Sequence, residues 1–199
     1  NKFKWLVNTW LQKTFPKIFK KKRVNSTFPS FIRKTDCTRI QNIKDIMWDH
    51  YNNGTEFQIT CKLDGSSISV YRKDKVEGVC SRNLNINMAV ITNSFVVNGS
   101  IIHSKLKTYL NNDYCIQGEM VAPNIQGNFE GVSKPEVYVY SIWDMKNQTY
   151  LNPADTLLFC NMYHINHVPV LHERIKLKEL IPVATDAEDL LKQLLLYAD

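Results

Sequence analysis

The sequence predicts an α+β fold built on antiparallel sheets, and three observations predict it. Segments 56–61 (EFQITC), 66–73 (SSISVYRK) and 76–81 (VEGVCS) are short, closely spaced and rich in β-branched residues, as strands are. Segments 113–121 (DYCIQGEMV) and 136–143 (EVYVYSIW) are apolar runs dominated by aromatic and β-branched side chains and bounded by turn residues, which reads as buried strand. Helical spacing lies between and after these runs.

Taken in order, residues 1–20 place Trp5, Leu6, Trp10, Leu11, Phe15, Ile18 and Phe19 at loosely helical spacing, broken by Pro16. A basic run over 20–23 and the segment FPSF follow. Residues 1–27 therefore read as an N-terminal tail or the end of a preceding domain with a basic linker, and 28–199 as the main domain. Within it, Lys73 and Asp74 turn the second strand into the third, and a helix is expected over 101–110. Two more helices are expected near 155–165 and over 186–197. The last starts at Thr185 or Asp186 as N-cap and carries Leu190, Leu191, Leu194 and Leu195 on one core-facing side.

The composition, 44% hydrophobic and 22% charged, suits a globular domain with a real core. No apolar run approaches the roughly 20 residues that span a bilayer, and the N-terminus lacks the uninterrupted apolar centre of a signal peptide. A soluble, intracellular protein is expected. Five cysteines, odd in number, widely spread and without a CxxC pair, predict reduced thiols rather than disulfides or zinc. Four sequons, at Asn25, Asn53, Asn98 and Asn147, are what an Asn-rich chain produces by chance. His164, His167 and His172 have no Cys at ligand spacing and predict no zinc site. The net charge of +6 permits a polyanionic partner without requiring one.

The chemistry concentrates at Cys61-Lys62-Leu63-Asp64-Gly65-Ser66-Ser67, which sets a lysine at the exit of one strand and a glycine before the next. At such a corner the sheet can wall the lysine stem while its amine faces a pocket, and burial or nearby cations then lower its pKa towards the nucleophilic range. Alone, this string reads more readily as a surface turn. Equally, Arg82 alone reads as a solvated hairpin arginine, Glu119 as an edge charge and Tyr140 as a core aromatic.

Together these segments resemble the covalent nucleotidyltransferases: DNA ligases, RNA ligases and mRNA-capping guanylyltransferases. Lys62-Leu63-Asp64-Gly65 resembles their nucleophile signature, and Ser81-Arg82-Asn83 lies one hairpin downstream, where they carry an arginine. GEMVAPNIQGN (118–128) looks like the GELxGPxxQ segment of bacteriophage RNA ligase 2 type enzymes. FPSFIRKTDCTRIQN (28–42) resembles the start of the ligase domain in a subgroup with an N-terminal OB-like domain. The resemblance covers nearly all of 28–181. It implies a nucleotidyltransferase (ATP-grasp-like ligase) core on antiparallel sheets.

It also implies an ATP-dependent RNA ligase that uses Mg²⁺ or Mn²⁺ and joins RNA 3′-hydroxyl and 5′-phosphate ends. Lys62 corresponds to the lysine that attacks the ATP α-phosphorus and carries AMP, Asp64 and Gly65 complete its loop, and Cys61 joins them among the residues expected to bind the nucleotide. Arg82 corresponds to the arginine on the sugar and phosphate side, Glu119 to the carboxylate that holds the ribose, and Tyr140 to the aromatic, usually Phe, against adenine. The sequence departs from the pattern at Cys61, where relatives often have Glu; at Ser67, where they have Asn; and at Ser141, where they have Asp. An EGxVxK-like strand and a final Lys pair are not found before Asp199, so the chain is expected to lack the C-terminal part of such a core. GEMVAPNIQGN and RIQN favour RNA ligase over a DNA ligase or capping guanylyltransferase. The alternative of another class is a nucleic-acid-binding module that keeps the fold without the reaction.

Overall fold

The structure, a computed structural model, describes residues 25–108 and 113–198. The helical pattern read over 1–20 and the basic run over 20–23 lie outside the described residues. In chain order the elements are β1 (Asn25–Thr27), α1 (Lys44–Asn53), β2 (Glu56–Thr60), β3 (Ser66–Lys73), β4 (Val76–Ser81), β5 (Leu84–Ile86) and α2 (Ser94–Lys105). After them come β6 (Tyr114–Val121), β7 (Glu136–Asp144), β8 (Thr149–Tyr150), α3 (Pro153–Met162), β9 (Val170–Lys176), α4 (Leu177–Leu180) and α5 (Ala187–Ala198).

Seven strands form one sheet in the order β1-β5-β4-β3-β6-β7-β8, antiparallel throughout, and β2 pairs with β9 in a second, two-stranded sheet. The fold is thus α+β on antiparallel sheets. Because β1 pairs with β5, the sheet begins before Phe28, at which the sequence places the start of the main domain. The β3–β4 hairpin turns one residue later than expected, through Asp74 (φ 50°) and Lys75 (φ 67°). Two left-handed residues in succession match the twist of a two-residue hairpin, and Asp113 steadies this one by accepting the Asp74 N–H at 2.9 Å.

Strand pleating divides the large sheet into two faces. Ile68, Val70, Val79, Ile116, Met120, Val137, Val139 and Ile142 point to one face, where Ile102 and Leu106 of the α2 region and Cys160 of α3 complete a core. Tyr71, Cys80, Cys115 and Trp143 point to the other, covered by Ile32 with Phe28 and Phe31 of the N-terminal segment. A third core, around Tyr51, Leu177, Ile181 and Leu190, joins α1, α4 and α5 near the small sheet.

The helices correct the sequence reading in three places. The helix expected over 101–110 is α2, which starts at Ser94, where the Asn93 side chain accepts the Phe95 N–H at 2.9 Å. Asn98 and Gly99, weak helix formers, conceal its first turns. Helix α1 has no counterpart in the sequence reading, because only Tyr51 of its ten residues is buried and no apolar stripe marks it. Helix α3 lies two residues earlier than expected, with Asn152 as N-cap and Pro153 at its first turn.

Helix α5 begins as expected. Asp186 accepts the N–H groups of Glu188 and Asp189, both at 2.9 Å. Its core stripe is narrower than four leucines, however: Leu190 and Leu191 are buried, whereas Leu195 is exposed. Val168, just before β9, is buried, whereas β9 itself is largely exposed. Among the described residues no helix is long and apolar enough to cross a membrane.

Candidate active site

The pleat that builds the second sheet face also places the candidate residues. In the register Ser67 lies opposite Glu119, Ser69 opposite Gln117 and Gln117 opposite Ser141. These positions alternate with the core residues Ile68, Ile116 and Met120, so they face away from the main core. Between β6 and β7 the register slips: Gln117 pairs with Ser141, but Gly118 pairs with Val139. Tyr140 is the extra residue of this β-bulge, which lets both Tyr140 and Ser141 line the same cavity although they are consecutive. The strand alternation resumes out of phase, with Val137 and Val139 on the core face before the bulge and Ile142 after it.

Gly118 sits at the slip. A Cβ there would lie 2.4 Å from the Tyr138 carbonyl oxygen, so the close approach of the two strands needs glycine. Gly65 is required in the same way, because a Cβ would lie 2.4 Å from the Met120 carbonyl oxygen.

The cavity on this face measures about 1130 Å³. Of the residues singled out in the sequence, Cys61, Lys62, Gly65, Arg82, Glu119 and Tyr140 line it. Asp64 does not; its N–H instead bonds to Glu130 Oε1 at 3.1 Å. Lys62 is exposed, not walled in by the sheet as expected at such a corner, and forms no ion pair among the described residues. The Cys61 N–H before it bonds to the Pro169 carbonyl at 2.9 Å and extends the β2–β9 pairing into the loop.

Glu119 Oε1 accepts the Gly65 N–H at 3.2 Å, so this carboxylate holds the loop that carries Lys62 and lines the cavity at once. Burial pushes its carboxyl above the usual range, and the Gly65 N–H and the positive charge of Lys62 pull it back part of the way. Burial likewise raises the Tyr140 hydroxyl, which hydrogen-bonds with Thr35 and Ser67. Thr35 and Ser67 also meet each other, with 3.0 Å between Oγ1 and Oγ. Ser67, a departure from the family pattern, thus belongs to a closed set of three hydroxyls.

Sequence reasoning missed the part of the cavity built by residues 33–39. The fully buried Gln117 donates from Nε2 to the Arg33 carbonyl at 2.6 Å and accepts from Ser141 Oγ at 3.3 Å, which ties this segment to the sheet. Arg82 Nη2 donates to Asp36 Oδ1 at 2.8 Å, between two largely exposed side chains. The lining therefore holds five cations, Arg33, Lys34, Arg39, Lys62 and Arg82, against the two acids Asp36 and Glu119. The basic residues of FPSFIRKTDCTRI were the available signal.

All five cysteines are free. Burial pushes the Cys80 and Cys160 thiols up to about 12 and raises Cys115 as well, whereas Cys37 and Cys61 line the cavity. Among the described residues no group of three or more His, Cys, Asp or Glu side chains is placed to hold a metal.

The RNA ligase family model matches residues 55–193. The chain belongs to the RNA ligase family. Among solved structures it is similar to a mutant of Naegleria gruberi RNA ligase with ATP and Mn, at 31% identity and a TM-score of 0.69, over 79% of this chain and 49% of that one. It is also similar to an apo mutant of that ligase, at 26% identity and 0.72, over 89% and 58%, and to the ligase with PPi, at 26% and 0.70, over 87% and 60%. The chain thus spans about half to three fifths of the length of these ligases. A search of curated proteins finds no match.

Proposed function

We propose that this chain is the adenylate-accepting part of an ATP-dependent RNA ligase, with Lys62 as the residue that becomes joined to AMP. One observation carries the reading: Lys62, Arg82, Glu119 and Tyr140, drawn from four separate segments, line a single cavity rich in cations. In the reaction the Lys62 amine attacks the ATP α-phosphorus, a phosphoramidate bond forms and pyrophosphate leaves. AMP then passes to an RNA 5′-phosphate, and a 3′-hydroxyl displaces it to seal the strand. Such chemistry depends on alignment and on neutralising phosphate charge more than on acid–base groups.

The residues suit the parts of ATP. Glu119 has a second oxygen beyond the one that holds Gly65 and can accept from ribose hydroxyls. The Tyr140 ring offers a face to adenine. Arg82, Arg33 and Arg39 supply charge for the phosphates, Arg82 by exchanging Asp36 for them. With no three-residue metal cluster among the described residues, Mg²⁺ or Mn²⁺ fits as an ion carried mainly by the ATP phosphates and water, the usual mode for Mg²⁺. RNA is the partner this family and the cationic lining support.

Incubation with α-labelled ATP or α-labelled GTP, followed by 5′-phosphorylated RNA, tests the reading. Label is expected on the protein from ATP and then on the RNA 5′ end. Label from GTP alone would move the protein to the capping enzymes. Nucleic-acid binding with no label from either nucleotide would favour a binding module without the reaction.

A further inference from the structure

Between β6 and β7 the chain takes no short turn but runs through residues 122–135, a connection long enough to call for a function. It is highly organised. The N–H groups of Ile125, Asn128 and Gly131 bond to the carbonyls of Ala122, Ile125 and Asn128 at 2.9–3.0 Å. The Asn128 side chain closes a ring on Val132, accepting its N–H at 3.0 Å and donating to its carbonyl at 3.1 Å. Gln126 (φ 48°) and Asn128 (φ 54°) hold left-handed conformations that side chains normally avoid.

This organisation delivers the Glu130 carboxylate to the Asp64 N–H, at 3.1 Å from Oε1. The next N–H in the chain, that of Gly65, bonds to Glu119 Oε1 at 3.2 Å. Two consecutive amides of the loop that carries Lys62 are therefore held by carboxylates from two different elements. Lys62 itself is exposed and has no ion pair among the described residues, so the backbone alone sets where its side chain starts. That backbone is held at Cys61 by the Pro169 carbonyl on one side and at Asp64 and Gly65 by the two carboxylates on the other.

We propose that Glu130 is a positioning residue for Lys62: by accepting the Asp64 N–H it fixes the peptide planes that aim the lysine into the cavity. The inference rests on the reading of Lys62 as the nucleophile. Unlike Glu119, Glu130 does not line the cavity, so its role is confined to the loop. What the role needs is an acceptor oxygen rather than a charge, which Gln also supplies.

The test compares wild type with Glu130→Ala and Glu130→Gln. In the chain itself, amide hydrogen exchange at Asp64 is expected to quicken about tenfold in Glu130→Ala, the loss of one charge-assisted hydrogen bond, and to stay slow in Glu130→Gln. In the complete protein, Lys62–AMP formation at saturating ATP is expected to slow by a similar factor in Glu130→Ala at an unchanged half-saturating ATP concentration, and to be rescued by Glu130→Gln. Equal Asp64 exchange in all three proteins would overturn the contact. Undiminished Lys62 labelling in Glu130→Ala would overturn the positioning role, and failure of Glu130→Gln to rescue would show that charge rather than geometry is at work. Wild-type protein that takes up no AMP on Lys62 would overturn the functional reading instead, while the Asp64 exchange would still decide whether Glu130 holds the loop.

Discussion

Tyr140 has a ring and a hydroxyl with separable jobs. The hydroxyl bonds with Thr35 and Ser67, and the residue lines the cavity. If the ring stacks on adenine, Tyr140→Phe should keep most adenylylation and lose only about 1 kcal/mol of stability with the hydroxyl contacts. Tyr140→Ala should raise the ATP concentration for half-maximal labelling about tenfold or more, since base stacking contributes about 1–3 kcal/mol. Titration of labelling against ATP checks both, and equal damage from the two substitutions would assign the hydroxyl set the larger part. At this scale the sequence showed residue types but not partners. Ser67 and Tyr140 stood out by family resemblance, whereas Thr35, Gln117 and Glu130 act through contacts with residues far away in the chain.

The β6–β7 pair turns a strand pattern into a site, and Gly118 is the residue that permits the slip. In Gly118→Ala the new Cβ would meet the Tyr138 carbonyl oxygen at 2.4 Å, and backbone cannot swing away as a side chain tip can. The strands must part or the bulge must move, at a cost of about 1–3 kcal/mol. A lowered urea midpoint together with weakened labelling is expected, because Tyr140 is the bulged residue. Unchanged stability would show that the strands do not approach so closely.

Short runs rich in β-branched and aromatic residues were legible: β3, β4, β6 and β7 lie within a residue of their expected bounds. The bulge was not, because a period-two pattern read along VYVYSIW does not reveal which residue is extra. Helices α1 and the start of α2 were hidden for a different reason: one lacks an apolar stripe and the other begins with residues of weak helix propensity.

Across the whole molecule, the site joins parts that sequence treats as separate. The family match covers 55–193, yet Arg33, Thr35, Asp36 and Arg39, upstream of it, close one side of the cavity. Long-range hydrogen bonds from Gln117 and Ser67 bring that segment to the sheet. The proposed function nevertheless turns on one atom, the Lys62 Nζ. It is tested most directly by incubating the complete protein with ATP and a divalent metal and locating AMP by peptide mass mapping. An acid-labile AMP is expected on the peptide containing Lys62, absent from Lys62→Ala, if Lys62 is the acceptor. AMP on another residue, or an adduct that survives Lys62→Ala, would contradict it.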